Sequence, residues 1–177
     1  MDRLDVKRLQ VLEALGAGDR PGRRGGLRVG RVMTAVPSCI PPETDVVELI
    51  RLFHTKRFRH LLVTCEENRL IGVISDRDVI RCLGPDKFPK RSALRRITAA
   101  EIMSTDLVTV GPDVPLEQAV GLMIDQGISC LPVLADGTLL GIVTNTDLHL
   151  VLQILLETVR QSSLEESVAT AVSSPQN

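Results

Sequence analysis

An internal repeat constrains this chain more than any other feature. Val32-Met33-Thr34 returns as Ile102-Met103-Ser104, 70 residues on, and Gly72-Val73-Ile74-Ser75-Asp76-Arg77-Asp78 returns as Gly141-Ile142-Val143-Thr144-Asn145-Thr146-Asp147, 69 residues on. The second copy lacks one turn residue. Self-similarity at a fixed period means one supersecondary unit built twice.

The pattern inside each copy specifies that unit. In the first, Ser38 to Ile40 predicts a short strand, Pro41-Pro42 a turn, and Thr44 or Asp45 the N-cap of a helix whose apolar positions are Val46, Leu49, Ile50 and Phe53. The second copy puts Leu116, Ala119, Val120 and Met123 at the same places. Two strands follow, Leu61 to Thr64 and Leu70 to Ser75, matched by Leu131 to Leu134 and Leu139 to Thr144, each pair joined by a polar turn. Another helix opens near Asp76 and near Asn145. Each unit therefore reads β-α-β-β-α, an α+β arrangement. A unit of this size leaves apolar surface uncovered when alone, so the two are expected to pack sheet to sheet as a pseudo-two-fold pair.

The flanks divide the chain further. Residues 3 to 15 read as a helix with Leu4, Leu9, Val11, Leu12 and Leu15 on a broad apolar side, and residues 18 to 31, with Arg20, Arg23, Arg24, Arg28 and Arg31 among glycines, read as a mobile loop. The predicted divisions are an N-terminal helix and Arg/Gly-rich loop (1–28), a first unit (29–84), a basic crossover (85–98), a second unit with a long C-terminal helix (99–160) and a flexible tail (161–177). The C-terminal helix carries Leu148, Val151, Leu152, Leu155 and Val159 on one stripe with Leu150, Ile154 and Leu156 beside it. One buried face cannot cover all of these, which predicts a subunit contact, giving a homodimer, or a dock for the N-terminal helix.

Composition excludes several classes. Lys plus Arg number 21 against 22 Asp plus Glu, a formal charge of −1, so charge selects neither nucleic acid nor a membrane. The clusters Arg20 to Arg31 and Lys87 to Arg96 could touch phosphates, yet near-zero net charge and scarce aromatic residues argue against a nucleic-acid partner. Cys39, Cys65, Cys82 and Cys130 form no C-x-x-C pair, and no apolar signal segment follows Met1-Asp2-Arg3, which reads as cytoplasmic. The stretch Leu148 to Leu156 is far shorter than the roughly 20 residues a bilayer requires. His54, His60 and His149 have no metal spacing, no G-x-x-x-x-G-K-[ST] occurs, and no catalytic constellation is visible. The chain reads as non-catalytic and metal-free.

The repeated Ser/Thr-x-x-Asp is the functional lead. A hydroxyl at a strand end and a carboxylate three residues later lie on one side of a strand-helix junction. An Asp there accepts both hydroxyls of a ribose, while the helix N-terminus offers unpaired N–H groups and a positive field for phosphate. The same residues also serve as ordinary helix caps. The sequence leaves both readings open.

Met33-Thr34 and Met103-Ser104 before the units, the proline in Leu131-Pro132-Val133, and the ending Ser75-Asp76-Arg77-Asp78 together resemble the cystathionine β-synthase (CBS) domain family, and the tandem resembles a CBS pair, or Bateman module. The likeness runs from about Val29 to Val151. It implies two clefts that bind adenine nucleotides or related adenosyl ligands, so the expected ligand is AMP, ADP or ATP, with NAD or S-adenosylmethionine as alternatives. By this resemblance Asp78 and Asp147 hold ribose, and Ser75 and Thr144 meet sugar or phosphate oxygens. Arg57, Arg59 and His60 precede the strand where related members place basic residues on phosphate, with Arg77 inside the motif. The second copy offers Ser129, Cys130 and Thr146 instead, which predicts that one cleft holds a charged nucleotide more strongly. A solvated basic edge is the plain alternative for Arg57 and Arg59, and Leu62 departs from the proline common at its position. Ile40 and Val110, after the first strands, are candidate walls for adenine, as are Phe58, Ile128 and Leu131, though all suit an ordinary core. Cys130 has no visible activating base and suits a small apolar filler. The function implied is a module that signals ligand state to a separate, unidentified partner. A ligand-free interaction or dimerisation module is the rival.

Overall fold

A computed structural model describes residues 3–16, 26–84 and 89–172. In chain order the elements are α1 (Arg3–Gly16), α2 (Val29–Val32), β1 (Thr34–Ala35), β2 (Cys39–Ile40), α3 (Val46–Lys56), β3 (His60–Thr64), β4 (Leu70–Ser75), α4 (Asp76–Leu83), α5 (Arg91–Leu94), α6 (Ala99–Ile102), α7 (Leu116–Asp125), β5 (Cys130–Ala135), β6 (Thr138–Thr144) and α8 (Asn145–Val172). The predicted β-α-β-β-α unit is β2-α3-β3-β4-α4. Asp45 caps α3, accepting from the Glu48 amide, and Arg57 closes that helix in the left-handed region at φ 53°.

Two three-stranded sheets result, β2-β3-β4 and β1-β6-β5. β3 and β4 pair antiparallel with His60 opposite Ser75, and β5 and β6 pair likewise with Cys130 opposite Thr144. The corresponding residues of the two copies thus occupy the same register. Each unit has its own core: Val46, Leu49, Leu61, Val63 and Ile74 in the first, and Leu116, Leu131, Val133 and Val143 in the second. Leu62, Leu70, Cys130 and Ile142, drawn from both sheets, form the apolar seam between them.

The segments that precede each unit are exchanged. β1 joins the sheet of the second unit, Thr34 opposite Ile142 and Ala35 opposite Gly141, whereas Ser104 bonds Val73 at the edge of the first. Further bonds lock the exchange: the amides of Val29 and Gly30 donate to Val114 and Pro112, and those of Ala99 and Ala100 to Thr44 and Pro42. The glycines of the repeat follow from this. A Cβ at Gly72 would lie 2.3 Å from the Met103 sulfur, and one at Gly141 would lie 2.6 Å from the Thr34 carbonyl and 2.8 Å from the Met33 sulfur. Each methionine crosses over the opposite unit's glycine.

Three sequence expectations change. The described part of the Arg/Gly-rich segment does not behave as a loop, because Val29 and Val32 are fully buried on α2 while Arg28 and Arg31 face water; residues 17–25 lie outside the described residues. The crossover, outside 85–88, contains the short helix α5, whose Leu94 enters the first core, and Ala99 of α6, the start of the predicted second unit, enters that core as well. α8 continues to Val172 where a tail was predicted from residue 161. No glycine or proline interrupts residues 145–172, and Pro175 is the first breaker.

Candidate ligand-binding site

The two strand-helix junctions share a local design. At the first, Oδ2 of Asp78 accepts from the Ser75 amide at 2.7 Å and from the Ser75 hydroxyl at 2.6 Å. At the second, Oδ2 of Asp147 accepts from the Thr144 amide at 2.7 Å and from the Thr144 hydroxyl at 2.8 Å. The capping reading is therefore correct, but it occupies one oxygen of each carboxylate. An ionised carboxylate has about four acceptor sites, so Oδ1 keeps its own. Capping and ribose binding are compatible. The Ser75 and Thr144 hydroxyl protons are committed to the aspartates, which leaves those oxygens able to accept from a sugar hydroxyl and shifts recognition of phosphate onto cations.

Around Asp78 the fold assembles most of the residues singled out from sequence. His60, opposite Ser75 across β3 and β4, bonds Ser129 of the other unit, Nε2 to Oγ 2.9 Å. Burial holds the His60 imidazole below its ordinary pKa, with the Asp76 carboxylate opposing and the Arg59 and Arg77 cations reinforcing that effect. The neutral ring is the resting form. Arg59 pairs with Asp76, Nε to Oδ2 3.5 Å, and its carbonyl receives the Asp76 amide, which seats the start of α4 against β3. Cys130 is buried on the second unit's side of the seam; burial, helped by the Asp78 charge, pushes its thiol up to about 12. That thiol stays protonated at neutral pH and serves as packing. Arg59, His60, Arg77, Asp78, Ser129 and Cys130 thus converge from both units on one junction.

Oδ1 of Asp78 is met by Arg81, one helical turn on, at 3.2 Å; the Arg81 side chain is 80% exposed and that of Asp78 16%. Sequence reasoning passed over Arg81 because a basic residue on an outer helix face reads as solvated. The pair is of the exposed kind worth under about 1 kcal/mol, so Arg81 swings away at little cost.

At the second junction the situation differs. The ammonium of Lys7, from α1, donates to Oδ1 of Asp147, and to the Thr34 hydroxyl at 2.7 Å. The two side chains are 7% and 5% exposed. Lys7 was missed as well, although Lys7, Val11, Ala14 and Leu15 follow helical spacing and form the buried stripe of α1, with Leu9 and Leu12 on the outside. Thr146 is exposed beside this junction.

Ile40 and Val110 do not join either junction. Ile40 pairs with Val63 and Val110 with Val133, three strand positions, about 10 Å, from the rows that hold Ser75 and Thr144. Both lie in the cores, where parallel pairing buries them. Ile40 instead borders a shallow cleft of about 420 Å³ with Pro41, Pro42 and Thr64 at the far end of the first sheet. Phe58 and Ile128 are half-buried, and Leu131 is wholly core. Arg57 is exposed at the end of α3. Among the described residues no group of His, Cys, Asp or Glu is arranged to hold a metal, and no helix is long and apolar enough to cross a membrane.

Two sheets sharing one seam, with a capped Asp at each junction, form the architecture that the CBS domain model matches over residues 29–84 and 99–153. The chain belongs to the CBS domain family, and its tandem is a CBS domain pair. A relative from Methanopyrus kandleri, an uncharacterized protein, is 34% identical over 122 residues, which is 68% of this chain and 60% of that one. The chain thus spans less than two thirds of that relative. Among solved structures, a putative acetoin utilization protein of Vibrio cholerae is similar at TM-score 0.66 and 26% identity, over 76% of this chain and 96% of that one. CBSX2 in complex with AMP is similar at TM-score 0.60 and 26% identity, over 75% of this chain and 98% of that one.

Proposed function

We propose that this CBS pair is a non-catalytic regulatory module that binds an adenine nucleotide, AMP, ADP or ATP, at the Asp78 junction and signals occupancy to a separate protein. The observation that carries the proposal is the convergence of Arg59, His60 and Arg77 on the Ser75–Asp78 cap, with Ser129 and Cys130 of the other unit completing the cleft wall. Oδ1 of Asp78 accepts a ribose hydroxyl once Arg81 moves aside. Phosphate oxygens meet guanidinium groups able to bond in parallel pairs, within the positive field at the start of α4. Tyr and Trp are absent, so the purine lies against aliphatic side chains and backbone. Support comes from a similar CBS pair that was crystallised with AMP. A ligand wedged between two units changes their relative angle only if it binds one arrangement better than the other. The four cysteines, all free, suit a reduced cytoplasm.

Calorimetric titration with AMP, ADP, ATP, NAD and S-adenosylmethionine tests the reading. Micromolar binding by one of the adenine nucleotides, weakened at least tenfold, or about 1.4 kcal/mol, by Asp78→Asn, supports it; asparagine keeps a capping oxygen, so the helix start survives. A second reading has its own observation: Leu152, Leu156 and Val159 leave an exposed apolar row on α8, suited to a homodimer or a partner helix. Absence of heat with every ligand at millimolar concentration, together with a concentration-dependent dimer, would make assembly the function and remove ligand sensing.

A further inference from the structure

The two junctions carry the same cap but unlike partners on the remaining carboxylate oxygen. Asp78 offers Oδ1 to an exposed arginine of its own helix, whereas Asp147 gives Oδ1 to a lysine brought in by a separate helix and buried with it. We infer that α1 is a built-in competitor for the second cleft: Lys7 occupies the position a ribose hydroxyl must take on Asp147, so α1 docking and ligand binding there exclude one another. This rests on the reading that the junctions bind nucleotides, and it adds the regulation of one of them.

Geometry and packing both support the competition. With Oδ2 of Asp147 held by Thr144, Oδ1 is the oxygen left to a ligand, and the same ammonium also takes the Thr34 hydroxyl at 2.7 Å. The ammonium cannot simply rotate into water as Arg81 can, because Val11, one turn further along α1, is buried in the second core and Leu15, two turns along, packs against it. Arg8 pairs with Glu157 of α8 and fastens the helix from its other side. Clearing Asp147 therefore lifts the helix as a body. A ligand that succeeds exposes α1, and its apparent affinity falls by the fraction of molecules in which α1 is already undocked. Nucleotide in the first cleft reports binding alone; nucleotide in the second converts a docked helix into a free one.

Titration of the full chain with AMP tests this. The wild type is expected to bind one AMP per chain, lost in Asp78→Asn, while Lys7→Gln binds two, the added one lost in Lys7→Gln/Asp147→Asn. Hydrogen exchange on the unmodified chain gives an answer that does not depend on the variant folding: amides of residues 7–14 are expected to lose protection at millimolar AMP and to keep it at concentrations that fill only the first cleft. One AMP per chain at Asp78 in both wild type and Lys7→Gln overturns the competition and leaves the nucleotide reading standing. Protection of α1 unchanged at millimolar AMP overturns it too. A Lys7→Gln chain that loses an AMP shows the lysine to be a ligand contact and overturns it, and no AMP binding to any variant overturns both readings.

Discussion

The two halves of this molecule began as one pattern and differ where the pattern meets its surroundings. Both junctions hold an Asp three residues past a hydroxyl, with amide distances of 2.7 Å in each. The first is ringed by charges that face water or the seam, while the second is sealed by a helix from outside the repeat. The lesson is that a duplicated motif conserves the cap and not the chemistry. What each copy can do is decided by which side chain arrives at the free oxygen.

The largest expected effect separates those side chains. Lys7→Met strands a buried carboxylate and is expected to cost up to about 3–5 kcal/mol in chemical unfolding, while Arg81→Met costs under about 1 kcal/mol; equal costs would erase the distinction between the junctions. The exchanged linkers come next. Gly141→Ala drives a methyl into the Thr34 carbonyl and is expected to destabilise by about 3 kcal/mol, whereas Gly72→Ala meets the Met103 side chain, which can shift, and costs about 1 kcal/mol. Thermal melts of the two variants side by side would show whether the seam is as asymmetric as that.

Smaller effects sharpen the comparison. Val36 sits at φ 55° and is exposed, whereas Asp106, its counterpart in the second copy, is not in that region. Val36→Asn is therefore expected to stabilise by roughly 1 kcal/mol, read from the urea midpoint, with no gain at Asp106→Asn. His60 supplies a pH signature for the first half alone. Its folded pKa lies below the unfolded value near 6.5, so its contribution is present above that pH and is lost as pH falls toward the folded value. Stability measured between pH 7.5 and 5 should fall more steeply in wild type than in His60→Gln. If a phosphate settles beside this ring, it raises the imidazole pKa, and AMP binding takes up protons.

Much of this was legible in residues. The β3 and β4 strands, the Asp45 cap and the repeat register followed from apolar alternation and turn chemistry, which act within a few positions. The cluster at Asp78 was legible because its members carry a motif or flank a strand. Lys7 was not, since a lysine among leucines reads as solvated and only packing shows that its stem runs inward. Ile40 and Val110 were read as adenine walls because they follow first strands, and parallel pairing sets each three strand positions from the row of its Ser75 or Thr144 counterpart. The docking of Val29 and Val32 was hidden by the neighbouring Arg28 and Arg31, because average composition blurs a short stripe into a basic loop.

The crossing of Met33-Thr34 and Met103-Ser104 onto opposite sheets has a consequence for taking the protein apart. The period of the sequence and the unit that folds are out of step: a fragment cut at the repeat, 29–84, carries away the edge of its neighbour and leaves its own behind. Residues 36–104 hold all the pieces that the first sheet uses, so the structural half is offset from the repeated half, and its seam face, Leu62 and Leu70, still calls for the other sheet to cover it.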